Sequence, residues 1–303
     1  MDKCVFIHTN ERQWLGALMA EYSLRRNSPH ADKFDVRFIH TRDNPYLAAK
    51  EGQTFLRGGT SRVWRMADLQ SFTPLRFKPP ELMNWQGRAV VIDPDVFAVG
   101  DVYELLDRDM KGAAVMGRRR SGKSEKESQV ATSVMLMDCA RLKHWDAEKE
   151  FDQLFRSEKD YKEWMVLGYE DPANIGYLEN CWNDFDHLDE NTRLIHNTKR
   201  KTQPWKTGLR VDFTPANKFK NRPLLASANR LRAKVFGEYG LLGRYQEHPD
   251  RRQEQFFFGL LKECVESGSV SEDLVRDEMS KNHVRHDAFE VLDRTPKLES
   301  KAA

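Results

Sequence analysis

From Cys4 to Met137 the sequence alternates short apolar runs with amphipathic segments, and this alternation constrains the fold more than any other feature. The run Cys4–Thr9 is apolar enough for a buried strand. Glu11–Asn27 then repeats apolar side chains at helical spacing, with Asn10 as its cap. Strands alternating with helices predict an α/β fold with a largely parallel sheet covered on both faces. Ligands of such sheets bind at the carboxyl ends of the strands.

Later segments continue this pattern and then change it. Strands are predicted at Asp35–His40, Arg88–Ile92, Gly112–Gly117, Ser133–Met137 and Arg193–Thr198, and helices at Phe72–Trp85, Ala226–Tyr239, Gln253–Glu266 and Glu272–Lys281. The stretch from Cys139 to Gly168 is charged, with a helical pattern. The chain therefore combines an α/β part with a helical C-terminal part.

Composition excludes several classes of protein. With 39% hydrophobic residues, the chain can form a packed core. Its net charge of +2 lacks the basic excess of a nucleic-acid binder. The four cysteines lie far apart and form no CxxC pair, so we expect reduced thiols. No apolar run approaches the roughly 20 residues of a membrane span, and the N-terminus does not resemble a signal peptide. We therefore expect a cytoplasmic protein, with peripheral membrane contact left open.

Three Asp-x-Asp patterns occur in different contexts: Asp93/Asp95, Asp107/Asp109 and Asp184/Asp186. Only the first directly follows a buried-looking strand, which would hold both carboxylates at the edge of a sheet. Two carboxylates in this arrangement can bind a hard divalent cation whose other ligands are phosphate oxygens. The alternative is a polar turn shaped by Pro94.

A histidine at the end of another apolar strand strengthens the metal interpretation. His196 follows Leu194 and Ile195, and a neutral imidazole is a good third ligand beside two carboxylates. A basic loop follows, with the cations Lys199, Arg200, Lys201 and Lys206. Such cations could compensate the charge of a departing diphosphate. The alternative is a structural histidine next to a solvated loop.

Taken together and in order, four runs resemble glycosyltransferase family 8 and its bacterial relatives: ERQWLGALMAEYSLRRNSP, RFKPPELMNWQGRAVVIDPDVF, SVMLMD and LIHNTKRKTQPWKTG. The resemblance covers about residues 3–215. It implies a GT-A fold, with a Rossmann-like, mostly parallel sheet between helices, over residues 1–215. Residues 216–303 would form a helical extension with a frayed tail. It also implies a nucleotide-diphosphosugar site, retention of anomeric configuration and a Mn²⁺ or Mg²⁺ cofactor.

Carried over by position, the resemblance assigns the metal ligands and the nucleotide contacts. Asp93, Asp95 and His196 would hold the metal. Thr9 and Asn10, at the end of the first strand, would contact the base and ribose of the nucleotide. Family members often have Asp at the position of Asn10.

Further donor contacts follow from the same comparison. Arg76 would hold the phosphate and sugar of the donor. Glu170 and Asp171 match an acidic or amide pair that approaches the anomeric carbon, although a surface pair capping a turn is an equally good interpretation. Lys199 or Lys201 would contact the diphosphate.

Two departures from the family pattern concern the donor. Gln203–Trp205 stands where a Lys-Pro-Trp run is expected, one residue further along. Ala131–Ser133 replaces the usual Asn-Ala-Gly. The second change leaves the sugar preference open.

The resemblance predicts a metal-dependent, retaining hexosyltransferase. It would move a hexose from a nucleotide sugar, with UDP-sugars favoured, to a hydroxyl on a glycan, glycolipid or small molecule. The alternative is a catalytically degenerate protein of this fold that binds a nucleotide sugar or a protein partner. A sugar-phosphate nucleotidyltransferase is disfavoured, since VFIHTNERQW lacks the Gly-rich loop and lysine of that class. A hydrolase is disfavoured because two Asp residues so close in sequence suit a metal better than an acid/base pair.

Three other patterns are more typical of structure than of function. Gly58–Gly59 lacks the Lys-Ser/Thr of a phosphate loop and predicts an ordinary turn. Arg118–Lys126 includes acidic residues and predicts a solvated loop, with an anionic acceptor or lipid headgroup as the alternative. Phe256–Phe258 predicts helix core, with a docking face for a lipid-linked acceptor as the alternative.

Overall fold

The computed structural model describes residues 2–120, 129–213 and 241–299, and the single positions 228, 231 and 235. These residues form two compact units, one ending at Asn197 and the other running from Thr198 to Leu298. The predicted boundary after residue 215 and most of the predicted helix Ala226–Tyr239 lie outside the described residues. The end of the predicted frayed tail, residues 300–303, lies outside them as well.

The first unit is an α/β structure. Its strands are β1 (Lys3–Thr9), β2 (Asp35–His40), β3 (Thr54–Leu56), β4 (Ser61–Val63), β5 (Arg88–Ile92), β6 (Val96–Ala98), β7 (Val115–Arg119), β8 (Val130–Asp138), β9 (Ile175–Leu178), β10 (Asp184–Phe185) and β11 (Leu194–His196). Its helices are α1 (Trp14–Arg26), α2 (Pro45–Ala48), α3 (Pro79–Leu82), α4 (Tyr103–Leu106), α5 (Ala147–Phe155) and α6 (Tyr161–Trp164).

Among the described residues, the main sheet has the strand order β2-β1-β5-β8-β7-β9. Strand β1 is parallel to β2 and β5, and β7 is parallel to β9. Strand β8 is antiparallel to both of its neighbours. The predicted mostly parallel sheet flanked by helices is confirmed, with β8 as the exception.

The sequence of β5 explains its central place. Ala89–Ile92 is fully buried, as expected for an apolar run covered on both faces. Helix α1 begins after a 3₁₀ turn at Glu11–Gln13, which Asn10 caps by accepting a hydrogen bond from the Arg12 amide. The helix contacts β1 and β6. It therefore lies next to the turn that joins β5 to β6.

Two small sheets complete the first unit. Strands β3 and β4 form an antiparallel pair. Strand β11 lies between β6, to which it is antiparallel, and β10, to which it is parallel. The second of these sheets brings the end of β11 beside the start of β6.

The segment before β5 differs from the single predicted helix over Phe72–Trp85. It forms a 3₁₀ helix at Thr73–Phe77 and then the short helix α3. The 3₁₀ helix is anchored by Phe77, whose ring stacks on Trp164 with centroids 4.5 Å apart. This anchor fixes the backbone that carries Arg76.

The second unit contains the helices α7 (Arg251–Glu266), α8 (Glu272–Ser280) and α9 (Ala288–Arg294). Phe257 and Phe258 are fully buried, and Trp205 stacks on Phe257 with centroids 4.7 Å apart. Phe257 and Phe258 are therefore helix core, as predicted, whereas Phe256 is only half-buried. Within the described parts of the chain, no helix combines the length and the apolar character needed to cross a bilayer.

Candidate functional site

Asp93, Asp95 and His196 meet at the carboxyl end of β5. Each offers a ligand atom, and these atoms all lie within 4.8 Å of one another. The topology explains the meeting, because β6 follows Asp95 directly and pairs with β11 in the register His196–Val96. The amide of Asn197 also donates to the Asp95 carbonyl at 3.1 Å. The structure thus brings His196 beside two carboxylates that lie far from it in sequence.

Helix α1 packs directly against the Asp-Pro-Asp turn. A Cβ atom built on Gly16 would lie 2.6 Å from the carbonyl oxygen of Pro94. Real Cβ atoms do not approach a backbone oxygen so closely, so only glycine fits here without a shift. This close contact with α1 fixes the position of the Asp-Pro-Asp turn.

Two basic side chains hold the Asp93 carboxylate, which is only 5% exposed. Arg76 donates from Nε to Oδ1 at 3.0 Å and from Nη2 to Oδ2. His8 places Nε2 2.8 Å from Oδ1. Burial raises the pKa of Asp93, but Arg76 and His8 outweigh this effect and hold that pKa below its usual range. Asp93 is therefore a charged carboxylate inside the protein.

Sequence reasoning missed His8. It lies in β1, fully buried, with its ring centroid 5.1 Å from that of Phe72. Burial lowers the pKa of His8, although Asp93 opposes the shift. A neutral imidazole in contact with the Asp93 carboxylate fits this setting. The available signal was a polar side chain at the end of the apolar run of β1.

Asn183 orients His196. The Nδ1 atom of His196 lies 2.8 Å from the Asn183 Oδ1 atom, and the Asn183 amide nitrogen donates to the Ser133 hydroxyl at 2.9 Å. His196 Nδ1 is therefore the donor, and Nε2 faces Asp95 Oδ1 at 3.3 Å. Burial lowers the pKa of His196, but Asp95 outweighs this effect, so the pKa is raised.

The donor set fits a hard divalent cation. An ionised carboxylate has about four acceptor positions, and the two hydrogen bonds from Arg76 to Asp93 leave acceptor positions for a metal. Asp95 adds a second carboxylate, and His196 Nε2 adds an imidazole nitrogen. Carboxylate oxygens together with an imidazole nitrogen are suitable ligands for Mn²⁺, and the carboxylate oxygens are also suitable ligands for Mg²⁺.

Comparison with solved structures places the fold. A crystal structure of an active-site mutant of LgtC has a TM-score of 0.50 at 15% sequence identity, covering 74% of this chain and 95% of that one. The chain has a GT-A fold. The galactosyltransferase LgtC in complex with donor and acceptor sugar analogs has a TM-score of 0.47 at 15% identity, covering 67% and 89%. The apo glycosyltransferase GlyE of Streptococcus pneumoniae has a TM-score of 0.47 at 14% identity, covering 67% and 55%.

Sequence comparisons add no closer relationship. No protein-family model matches the chain, and no curated protein matches it in sequence. The resemblance to family 8 is therefore supported by the GT-A fold, whereas membership of that family stays a prediction.

The predicted nucleotide contacts lie at the end of β1 in the GT-A unit, and both are buried. Asn10 donates to the Ser71 hydroxyl at 3.0 Å and to the Leu69 carbonyl at 3.3 Å, besides capping the turn before α1. The Thr9 hydroxyl donates to the Asn10 carbonyl at 3.2 Å. These contacts fix the loop at this edge of the GT-A sheet. The nucleotide contacts themselves stay predictions.

The acidic pair near β9 has local partners. Glu170 accepts hydrogen bonds from the Trp145 indole at 2.6 Å and from the Asn174 amide at 2.8 Å. Burial raises the pKa of Glu170, but these bonds outweigh it and lower that pKa. Asp171 caps the turn Pro172–Asn174. These contacts are those expected if the pair stabilises a turn. The role of Glu170 and Asp171 near an anomeric carbon stays a prediction.

The basic residues after His196 belong to the second unit. Lys199 and Lys201 are exposed, and Lys201 donates to the Leu242 carbonyl at 3.3 Å. Lys206, in contrast, is fully buried and pairs with Asp212 at 2.9 Å. Lys206 is thus a structural cation, and the diphosphate contact of Lys199 or Lys201 stays a prediction.

Two other predicted patterns have clear structural roles. The amides of Gly58 and Gly59 both donate to the Asp160 carboxylate at 2.8 Å, as expected for a turn. Arg118 donates to the Asn183 carbonyl at 2.6 Å, and its guanidinium lies over the Phe185 ring. Arg118 and Arg119 end β7 rather than belonging to the predicted loop, and residues 121–126 of the basic run lie outside the described residues.

Proposed function

We propose that this protein is a metal-dependent glycosyltransferase that moves a hexose from a nucleotide sugar, with UDP-sugars favoured, to a hydroxyl acceptor. The observation that carries the proposal is the cluster of Asp93, Asp95 and His196 at the end of β5 in a GT-A fold. LgtC, whose fold the chain shares, is a galactosyltransferase solved with donor and acceptor sugar analogs. A glycan, glycolipid or small molecule would be the acceptor, and the enzyme would work in the cytoplasm, with peripheral membrane contact left open.

The residues of the chain divide the work at the donor site. When bound, Mn²⁺ or Mg²⁺ would neutralise charge on the departing nucleoside diphosphate. Asp93, Asp95 and His196 Nε2 would hold the cation. Arg76 keeps Asp93 ionised and oriented, so the carboxylate needs little reorganisation when substrate binds. Retention of configuration rests on the family resemblance.

A second candidate is a protein of the same fold that binds a nucleotide sugar without transferring it. The contacts of Glu170 favour this alternative, since its carboxylate is engaged by Trp145 and Asn174. Gln203, where the family has lysine, points the same way. Both candidates predict donor binding, but only the first predicts turnover.

A thermal-shift panel tests the proposal. UDP-, GDP-, ADP- and dTDP-sugars are each added with and without Mn²⁺, because a ligand of the native state raises the melting temperature. We expect one nucleotide series to give a shift that requires Mn²⁺. Hydrolysis or transfer of that donor then separates the enzyme from the non-catalytic binder.

Two variants test whether the Mn²⁺-dependent thermal shift and the turnover depend on the assigned site. Asp95→Ala should abolish the Mn²⁺-dependent shift and the turnover. The matched control is His187→Ala, which alters the separate cluster of Asp184, His187 and Asp189. It should behave like the wild type. Near-normal, Mn²⁺-dependent turnover in Asp95→Ala would refute the assigned site.

A further inference from the structure

Strand β8 has an irregular register beside the candidate metal site. One step along β7 corresponds to a jump from Met135 to Ala131 on β8, so Thr132–Val134 lies in a bulge. In a regular strand, successive side chains point to opposite faces. Bulges re-aim side chains and are frequent next to active sites. Here two successive hydroxyls, those of Thr132 and Ser133, both bond to groups that hold candidate metal ligands.

The Thr132 hydroxyl acts on Asp93 through Arg76. It donates to the Met165 carbonyl at 2.8 Å, which fixes the direction of its proton. Its lone pair then accepts a hydrogen bond from Arg76 Nη1 at 3.0 Å. The other two guanidinium nitrogens bond to Asp93. Thr132 therefore holds the Arg76 guanidinium in the orientation in which it donates two hydrogen bonds to the Asp93 carboxylate.

Ser133 acts on both ligand-bearing strands. Its carbonyl accepts a hydrogen bond from the Asp93 amide at 3.0 Å. Its hydroxyl accepts one from the Asn183 amide nitrogen at 2.9 Å, which turns the Asn183 oxygen toward His196 Nδ1. Asn183 is fully buried and Ser133 is 6% exposed, so bulk water does not replace these bonds.

We propose that Thr132 and Ser133 are positioning residues of the metal site. Thr132 orients Asp93 through Arg76, and Ser133 selects through Asn183 the tautomer of His196 that leaves Nε2 free for a cation. The inference rests on the proposed metal site. It also gives a role to the run Ala131–Ser133, which replaces Asn-Ala-Gly: a run ending in Ala-Gly carries no side-chain hydroxyl for either bond.

The first test measures affinity for Mn²⁺ alone, by following free Mn²⁺ with electron paramagnetic resonance. Removing a partner that orients a metal ligand typically weakens metal binding about 10- to 100-fold. We expect a loss in this range for Ser133→Ala and a loss in the same direction for Thr132→Val. Ser133→Thr keeps a hydroxyl and should recover most of the affinity.

A matched control separates positioning from general destabilisation. Ser23 is another fully buried serine of the same unit, and its hydroxyl bonds to the Ala20 carbonyl and the Ala98 amide. Ser23→Ala should cost stability without weakening Mn²⁺ binding. If Ser133→Ala fails to fold, Asn183→Asp and Asn183→Leu replace it. The first keeps an acceptor for His196 Nδ1 and should bind Mn²⁺, whereas the second should bind it far more weakly.

A second readout reports the imidazole directly. With ¹⁵N-labelled histidine, without metal and at a pH where the imidazole is neutral, His196 should show a single state protonated at Nδ1, and Ser133→Ala should show a mixture of tautomers. If the wild-type protein does not bind Mn²⁺, the assigned metal site is wrong, and the proposed function is wrong with it. Wild-type binding with equal affinity in Ser133→Ala and Ser23→Ala would overturn the positioning role alone.

Discussion

Asp93 receives hydrogen bonds from an arginine and lies against a histidine, in a place where almost no water reaches it. A buried carboxylate is costly unless it is paired and hydrogen-bonded. The bidentate contact with Arg76 meets this requirement before any cation arrives. The candidate metal site is therefore built around a charge that the protein itself compensates.

Replacing Arg76 tests this compensation. Arg76→Met leaves the Asp93 charge buried without its main partner, and breaking a buried pair in this way costs about 3–5 kcal/mol. Urea unfolding without metal measures the loss. Mn²⁺ should restore part of the stability, because it supplies positive charge at the same carboxylate.

The control for this experiment is Arg25→Met. Arg25 forms an i,i+4 pair with Glu21, and its side chain is 47% exposed. Such a surface pair contributes about 0–1 kcal/mol, so the variant should remain close to the wild type. Equal stability of Arg76→Met and Arg25→Met would contradict the compensating role of Arg76.

The sequence identified the candidate ligands but not the residues that hold them. Asp93, Asp95 and His196 each follow or end an apolar run, which a sequence displays. The roles of His8 and Asn183 depend on which strands become neighbours. Lys206 shows what the basic run could not predict. The run predicts cations in contact with solvent, but it cannot show that Asp212 forms an ion pair with Lys206.

At the scale of elements, the contact between α1 and the Asp-Pro-Asp turn fixes the position of the backbone that carries Asp93 and Asp95. In an exposed helix, Gly→Ala stabilises by about 1 kcal/mol. At Gly16 we expect the opposite sign, since the new methyl would press on the Pro94 carbonyl. Overpacking of this kind typically costs about 1–3 kcal/mol. Gly16→Ala should therefore lower the urea midpoint and weaken Mn²⁺ binding together.

Gly259→Ala provides the comparison. Its added Cβ would meet the side chain of Leu298, within the second unit, rather than backbone. It should change stability while leaving Mn²⁺ affinity unchanged. If Gly16→Ala alters stability but not Mn²⁺ affinity, the turn does not depend on α1 for its geometry.

Long elements were predictable and most short ones were not, although the three-residue strand β11 lies within the predicted strand Arg193–Thr198. Strand β5 has the predicted bounds, and α1 with its preceding turn covers the predicted helix. Strands β3, β4, β6 and β10 have three residues or fewer, too few to show a period. The reversal of β8 leaves no trace in its own apolar pattern. In the segment Phe72–Trp85, Pro79 and Pro80 lack amide protons, so a single continuous helix does not form.

At the scale of the whole molecule, the carboxyl groups tie stability to pH. Among the described residues, the ten carboxyl groups with a resolved shift all have a lowered pKa: Asp93, Asp101, Asp107, Asp152, Asp160, Glu170, Glu179, Asp189, Asp250 and Asp287. A lowered pKa in the folded state stabilises the fold above the unfolded pKa, roughly 4. This stabilisation is lost as the pH falls further.

We therefore expect the free energy of unfolding to fall steeply below about pH 4. Between about pH 7 and 5, the lowered pKa values of His8 and His40 should reduce the free energy of unfolding as the pH falls, and the raised pKa of His196 should oppose this loss.

Asp101→Asn probes one carboxyl contributor. Burial raises the pKa of Asp101, but bonds from Ser28, His30 and the Tyr103 amide outweigh it. Since hydrogen bonds to charged groups contribute about 1.5–3 kcal/mol, the variant should be less stable at pH 7 and lose less on acidification.

Urea unfolding at pH 7, 5 and 3 measures both effects. Asp43→Asn is the control, because the Asp43 side chain is 71% exposed and lies 3.9 Å from its nearest ion-pair partner. It should follow the wild-type curve. A wild-type free energy of unfolding that stays constant down to pH 3 would contradict the prediction.

The residues around Asp93 come from positions spread between His8 and His196, on strands of the main sheet and of the small sheet that contains β11. We predict that contacts between positions so distant in sequence form after the transition state for folding. An ion bound there would leave the folding rate almost unchanged and slow unfolding instead, since contacts absent from the transition state act on the unfolding limb. A bound cation would then lengthen the lifetime of the folded state.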